Sequence, residues 1–374
     1  MSESSAPIGI DLGHMAAALA LARRALGRAW PNPAVGCVIL DASGRVAGRG
    51  RTGQGGRPHA ESEALAQAGA RARGGTAYVS LEPCAHHGQT PPCAEALIAA
   101  GIARAVAAVE DPDPRVSGRG LERLRHAGIS VLAGLEREEA AEINAGFFTR
   151  VRAGRPLVTL KLATSLDGRI ALASGESKWI TGEAARRRGH WLRATHDAVL
   201  VGAGTALSDD PQLTCRLPGL EGRSPVRVLI DPNLRVPPTA KLYAEARKVP
   251  LWVIAAPAVP EAEAAARQRT GAEILRLPSA PDGRPSAPAV LQELGARGLT
   301  RLLVEGGSRM AAALLDAGLV DRMAWFRAPV LIGADGLPAA ALLGLDRLSR
   351  APRFRLTGVE QLGPDLLESY ARED

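Results

Sequence analysis

The residues best equipped for chemistry fall in three short motifs, His59-Ala60-Glu61, Glu82-Pro83-Cys84 and Pro91-Pro92-Cys93. One imidazole and two thiolates supply three ligands for zinc, which leaves the fourth tetrahedral position to water, as a catalytic rather than a structural site requires. A structural site would instead be closed by a fourth protein ligand, for which His86 or His87 is the candidate. Zinc lowers the pKa of bound water until hydroxide exists near neutrality. Glu61, two residues after the histidine, is then free to carry protons rather than bind metal.

These residues must be delivered by secondary structure. A helix over residues 11–27, capped by Gly27, precedes the rigid turn Pro31-Asn32-Pro33 and a hairpin whose strands lie in 35–40 and before Gly48. His59 opens a helix over 60–70, with Glu61 in its first turn. The strand 76–81 ends at Glu82-Pro83-Cys84, and Pro91-Pro92 suits the start of a helix running to Ala100. Cys93 falls in that helix's first turn, where the helix dipole favours a thiolate. Strands over 103–109 and 129–133 and helices over 118–127 and 137–148 complete an α/β sandwich. Cys37 and Cys215 read as small buried hydrophobes.

A polar joint at 151–156 divides the chain into domains 1–152 and 153–374. Beyond it, strand 157–164 and helix 183–194 lead to two strand-glycine-helix turns, at Gly202/Gly204 and at Gly306/Gly307. Such turns let a backbone approach a phosphate at a helix N-terminus. The first imitates a dinucleotide fingerprint, but Leu207 stands where the third glycine belongs. Strands are expected over 226–230, 251–255, 273–277, 323–331 and 366–371. The Pro- and Ser-rich stretch 278–288 reads as a surface loop. The second half is thus another α/β domain.

The totals agree with two soluble domains. At 374 residues the chain is long for one core. Aromatics make up only 3% of it, so the cores must be built from Ala, Val, Leu and Ile. No apolar run is long enough for a membrane span, and the first residues lack the basic and apolar regions of a signal peptide, so a cytoplasmic protein is expected. Four cysteines suit metal binding better than a disulfide scaffold. The net charge of +7 could serve nucleic acid, yet the basic residues are dispersed and few aromatics are available for stacking. It could equally serve phosphorylated small molecules or reflect an Arg-rich composition on a solvated surface.

The H-x-E arrangement is the signature of zinc-dependent deaminases, in which the paired cysteines usually stand two residues apart. Here the stretch Glu82-Pro83-Cys84-Ala85-His86-His87-Gly88-Gln89-Thr90-Pro91-Pro92-Cys93, with Asn32-Pro33-Ala34-Val35-Gly36 and His59-Ala60-Glu61, resembles the deaminase half of the bifunctional riboflavin-biosynthesis deaminase/reductase family. Lys161 to Arg169, Gly175 to Ile180, Asp209-Asp210-Pro211 and Glu305-Gly306-Gly307 resemble its reductase half.

The resemblance implies a cytidine-deaminase-like α/β/α sandwich followed by a dihydrofolate-reductase-like α/β domain. It implies a diaminopyrimidinone carrying a ribosylamino 5′-phosphate as substrate, loss of its 2-amino group, and NADPH-dependent reduction of the ribosyl group to ribityl. The zinc ligands would be His59, Cys84 and Cys93, with Glu61 catalytic and Asn32 and His86 lining the pocket. NADPH would lie against Ala163, Trp179, Thr205, Asp209 and the turn of Gly307, Ser308, Arg309, Met310, Ala311, Ala312 and Ala313. The sugar phosphate would meet Ser177, Arg193, Leu213, Arg216 and Glu305, the two arginines suiting phosphate because guanidinium grips it bidentately. Lys161, Asp209 and Glu305 are the charged candidates for proton donor.

Thr52 and Gln89 stand where the family often has His and a basic residue. The sequence admits a homo-oligomer without indicating one. Two rivals differ in class: a nucleic-acid deaminase with an appended domain, and a non-catalytic zinc- and nucleotide-binding regulator.

Overall fold

The Val/Ile/Leu-rich strands form a five-stranded, a nine-stranded and a small two-stranded sheet, and alanine-rich helices pack with them. The computed structural model describes residues 8–86, 91–280 and 283–373. His87 and Gln89 lie outside the described residues. Two compact units are formed, Met1–Gly154 and Arg155–Asp374. Among the described residues, no helix is long and apolar enough to cross a membrane.

The first unit runs α1 (Ile8–Ala25), β1 (Gly36–Leu40), β2 (Val46–Arg51), α2 (Ala60–Ala68), β3 (Thr76–Val79), α3 (Cys93–Ala99), β4 (Arg104–Ala107), α4 (Arg119–His126), β5 (Ser130–Ala133), α5 (Arg137–Ile143) and α6 (Ala145–Ala153). Its sheet has the order β2-β1-β3-β4-β5. The β1–β2 and β1–β3 pairs are antiparallel, while β3–β4 and β4–β5 are parallel. Small residues let the helices close on the sheet: a Cβ at Gly36 would stand 1.9 Å from the Ala18 carbonyl oxygen, and one at Gly48 2.1 Å from that of Ala64. A buried ion pair fixes α1, where Arg104 meets Asp11 through two hydrogen bonds of 2.8 and 2.7 Å and Tyr78 donates to the same carboxylate at 2.5 Å.

The single helix expected over 137–148 is two helices. They break at Asn144, whose buried side chain accepts a hydrogen bond from Ala34 N–H at 2.9 Å. A polar side chain committed to a distant backbone competes with helix continuity.

The second unit runs β6 (Leu157–Thr164), β7 (Arg169–Ala171), α7 (Glu183–Thr195), β8 (Ala198–Gly202), α8 (Ala203–Asp209), β9 (Val226–Ile230), α9 (Lys241–Ala244), β10 (Leu251–Ala255), α10 (Glu261–Gln268), β11 (Glu273–Arg276), α11 (Ala287–Ala296), β12 (Arg301–Val304), α12 (Ser308–Asp316), β13 (Arg322–Arg327), β14 (Leu337–Pro338), β15 (Phe354–Leu362) and β16 (Asp365–Arg372). Nine strands form its sheet in the order β11-β10-β9-β8-β12-β6-β13-β16-β15. From β11 to β13 all neighbours are parallel, and the hairpin β15–β16 adds antiparallel to β13. The central strands read as near-continuous apolar runs, as strands covered on both faces should; Val158, Leu160, Val199, Val228, Leu302, Leu303 and Val304 are fully or almost fully buried. Strand β15 was not foreseen. Most of it is exposed, so its sequence has no buried face to reveal it.

Candidate functional site

In the first unit the three motifs converge. His59 is the N-cap of α2, Cys84 follows the turn after β3, and Cys93 is the first residue of α3. The ligand atoms of His59, Cys84 and Cys93 all lie within 4.8 Å of one another. His59 Nδ1 is 3.2 Å from Cys93 Sγ and 3.7 Å from Cys84 Sγ. Tetrahedral zinc at ordinary bond lengths separates a nitrogen and a sulfur ligand by about 3.6 Å, so the donors present fit the ion. No fourth protein ligand joins this cluster among the described residues, and His86 stands outside it.

The electrostatics agree. The Cys84 thiol is pushed down to about 4, first by its hydrogen bond with Cys93 and then by His59, while Cys93 is pushed up by the same contact. The two thiols thus hold one proton between them, which a divalent cation would displace. Burial raises the Glu61 carboxyl to about 7, helped by the neighbouring Cys84 charge. A carboxyl poised there suits proton transfer in both directions near neutral pH.

Around this centre, Asn32 donates to the Gly56 carbonyl at 3.1 Å. The Nδ1 of His86 is buried without a hydrogen-bond partner among the described residues. Thr52 spends its hydroxyl on backbone, accepting from Val35 N–H at 2.9 Å and donating to the Pro33 carbonyl at 3.0 Å. Cys37 and Cys215 are buried. Sequence reading passed over Asp111, a buried carboxyl raised to about 7 by burial, with Asp113, Glu82 and Cys84 adding their charge. Its signal was the acidic pair Asp111 and Asp113 just after β4, which resembles an ordinary turn.

In the second unit a cavity of about 1680 Å³ opens at the carboxyl ends of the parallel strands, where α/β sheets bind ligands. Lys161 and Ala163 of β6, Gly202 of β8, Ile230 of β9 and Phe326 of β13 mark its floor. Ala163, Ser177, Trp179, Arg193, Thr205, Asp209, Leu213, Arg216, Glu305, Gly307, Ser308, Arg309, Met310 and Ala313 all line it. Ala311 and Ala312 do not: both are buried, on the same face of α12 as the buried Leu314 and Leu315 three residues further along. The two glycine turns are joined where Gly307 N–H donates to Thr205 Oγ1 at 3.1 Å. Of the stretch 278–288, Ala280 and residues 283–288 wall the cavity, and its last two residues, Ala287 and Pro288, already open α11.

The charges in this cavity are engaged with one another. Arg193 donates from Nε and Nη2 to Glu305 at 2.6 and 2.8 Å and from Nη1 to the Thr214 carbonyl at 3.1 Å. Its fork therefore grips Glu305, and Arg216, with an exposed side chain, is the more open cation for a phosphate. Burial would raise the Glu305 carboxyl, but Arg193 and then Lys161 bring it down to about 2. Lys161, 4.0 Å from Glu305, is lowered by burial. Leu213 is held at φ 57°, a costly conformation for a non-glycine residue that tends to occur where a site demands it. Trp179 is 70% exposed, with Arg186 stacked 4.7 Å from its ring centroid.

A three-ligand metal cluster beside a buried, near-neutral glutamate defines a zinc-dependent deaminase. A large cleft at the strand ends of a second α/β unit, with paired glycine turns, defines a nucleotide-dependent reductase. Residues 10–109 match the cytidine and deoxycytidylate deaminase zinc-binding region, and residues 156–367 match the RibD C-terminal domain. The chain is 43% identical over 369 residues to the riboflavin biosynthesis protein RibD of Escherichia coli K12, covering 95% of this chain and 98% of that one. Among solved structures, Acinetobacter baumannii RibD superposes with a TM-score of 0.87 at 38% identity, covering 98% of this chain and all of that one (100%). A diaminohydroxyphosphoribosylaminopyrimidine deaminase/5-amino-6-(5-phosphoribosylamino)uracil reductase from Thermotoga maritima does so with 0.85 at 36%, covering 98% and 99%. The chain belongs to the bifunctional RibD family of riboflavin-biosynthesis deaminase/reductases. The cofactors of that family are zinc for the deaminase half and NADPH for the reductase half.

Proposed function

We propose that the first unit removes the 2-amino group of a diaminopyrimidinone ribosylamino 5′-phosphate, and that the second then reduces the ribosyl group of the product to ribityl. The observation that carries this reading is the convergence of the His59, Cys84 and Cys93 ligand atoms within 4.8 Å of one another, with the buried Glu61 in the first turn of the helix that His59 caps. Zinc held by those three residues would supply a Lewis acid and a water that ionises near neutrality. Glu61 takes a proton from the attacking water and passes it to the ring nitrogen, and then assists departure of the amine as ammonia. Asn32 and His86 line this pocket.

In the second unit NADPH, when bound, would supply the hydride, and the protein would orient it. The predicted residues that line the cavity divide between cofactor and substrate: Ala163, Trp179, Thr205, Asp209 and the turn from Gly307 take the nucleotide, while Ser177, Leu213, Arg216 and the Arg193–Glu305 pair take the ring-opened sugar phosphate. Such a cavity is larger than the roughly 300–1,000 Å³ of a single small-molecule site, which supports two ligands bound together. Domains 1–152 and 153–374 act in succession on one small molecule, without nucleic acid, in the cytoplasm.

The experiment is to incubate purified protein with the diaminopyrimidinone ribosyl phosphate, with and without NADPH, and to identify products by mass. Ammonia release without NADPH, then NADPH-dependent gain of two hydrogens, is expected. Reduction without prior deamination would overturn the order.

A further inference from the structure

Glu82 opens the cysteine motif, yet neither metal binding nor proton transfer uses it. Its carboxylate is buried, at 3% exposure, and no Lys or Arg forms a salt bridge with it among the described residues. Four backbone N–H groups satisfy it instead. Oε2 accepts from Asp111 at 3.2 Å and Gly118 at 3.0 Å, and Oε1 accepts from Gly120 at 2.9 Å and Leu121 at 3.3 Å. Gly120 and Leu121 lie in the first turn of α4, whose orphan donors and positive dipole end favour an anion. One carboxylate thereby ties both ends of the loop 111–118 to the turn that carries Cys84.

The seam is close along its length. A Cβ at Gly120 would stand 2.0 Å from the Pro83 carbonyl oxygen, so only glycine lets the loop reach the Glu82-Pro83-Cys84 backbone. Gly118 has a φ of 83°, which turns the chain into α4. The clamped loop carries the buried Asp111 and Asp113, and its Asp111 N–H is held by a carboxylate only two residues before Cys84. Within the loop, Asp113 N–H donates to Asp111 Oδ1 at 2.8 Å, and Asp113 holds Arg115.

We propose that Glu82 is a positioning residue of the deaminase, clamping the loop 111–118 against the cysteine turn so that this loop forms a fixed wall of the substrate pocket. The proposal rests on the deaminase reading of the first unit. Only a carboxylate meets the requirement: glutamine has one acceptor oxygen, and its NH2 would face two backbone donors.

The test is Glu82→Gln in the full-length, zinc-loaded chain, which preserves volume and reverses the hydrogen-bond pattern on one side. Amide hydrogen exchange should quicken at least tenfold for either Asp111 and Gly118 or Gly120 and Leu121. The KM for deamination of the diaminopyrimidinone ribosyl phosphate should rise at least fivefold, with kcat changed less than KM. Reduction of the deaminated product by the second unit should stay within about twofold, an internal control on the same chain. Faster exchange with unchanged deaminase KM would reduce Glu82 to a fold-stabilising residue and overturn the proposal, as would unchanged exchange.

If Glu82→Gln does not fold, Gly118→Ala loosens the same loop while leaving the carboxylate intact. It should raise the deaminase KM in the same direction, and an unchanged KM would overturn the clamp. Failure of the wild-type chain to deaminate would sink the deaminase reading itself, a result distinct from a wild type that deaminates and a variant that matches it.

Discussion

The two candidate sites are built on opposite plans. The deaminase centre is compact: its three ligand atoms lie within 4.8 Å of one another, and they come from a helix N-cap, a turn after a strand and a helix start. The reductase cleft spreads over about 1680 Å³ and takes lining residues from β6, α7, β8, α8, β9, α12, β13 and the connecting loops. On the proposed reading, side chains of the first hold the metal and move the protons, so each is close to irreplaceable. In the second, the cofactor carries the hydride and the protein supplies shape and charge, so the work is shared.

That contrast is tested most severely at Glu61. Glu61→Gln should cost deamination about a thousandfold, within the usual span for a lost general acid–base, while reduction of the deaminated product is unchanged. Ammonia release and NADPH oxidation, assayed separately, check both halves. Deamination within tenfold of wild type would remove Glu61 from the mechanism and revive a non-catalytic zinc protein. Next in size, His59→Ala or Cys84→Ala should lose the one zinc per chain, by metal analysis, and with it deamination but not reduction. A variant with full zinc occupancy would not have lost a ligand.

The same contrast decides what could be read from the sequence. Local constellations are legible: His59 before a helix, Glu61 in its first turn and Cys93 at a helix start place their side chains through backbone geometry alone. The alternating strand 157–164 and the apolar runs of β8 to β10 were equally plain. Long-range pairings were not. Nothing local to Arg193 says that its guanidinium grips Glu305, 112 positions away, and nothing near Asn144 reveals its bond to Ala34. Glu82 stood in view within the motif, but its role depends on amides 29 to 39 residues further along. The reductase residues came from resemblance, and the structure then separated those that line the cleft from Ala311 and Ala312, which do not.

A smaller effect probes whether the second site is indeed held by charge. Arg193 and Glu305 are largely buried, with side chains 14% and 11% exposed. Arg193→Met would leave a buried carboxylate with Lys161, at 4.0 Å, as its one remaining salt-bridge partner among the described residues. Breaking such a pair from one side costs about 3–5 kcal/mol, and the double change to Met at both positions should recover part of it. Four of the five tryptophans (Trp179, Trp191, Trp252 and Trp325) lie in the second unit, so urea unfolding followed by tryptophan fluorescence reports on it. A shift below 1 kcal/mol would mean the pair is peripheral, and the cleft would then be shaped by packing alone.

The smallest effect concerns acid. His196 is buried, with Nδ1 2.7 Å from the Leu192 carbonyl and Nε2 2.9 Å from Thr159 Oγ1. A neutral ring satisfies both contacts, donating from Nδ1 and accepting at Nε2, whereas an imidazolium would place a charge in an apolar interior. Burial first, and then the charge of Arg301, push its pKa from 6.5 down to about 4. Because the folded pKa lies below the unfolded one, the unfolded chain binds more protons between pH 6.5 and 4, so the stabilisation present above 6.5 is lost as pH falls through that window. At 1.36 kcal/mol per unit, the loss reaches at most about 3 kcal/mol. His190, brought down to about 4 by burial and by Arg193 and Arg216, adds to the same slope. Urea unfolding of the second unit at pH 7 and pH 4.5 should therefore show a clear loss in wild type and a smaller one in His196→Gln. Equal losses in the two proteins would show that His196 is not neutral in the fold, and would place the unit's acid sensitivity in the cleft rather than the core.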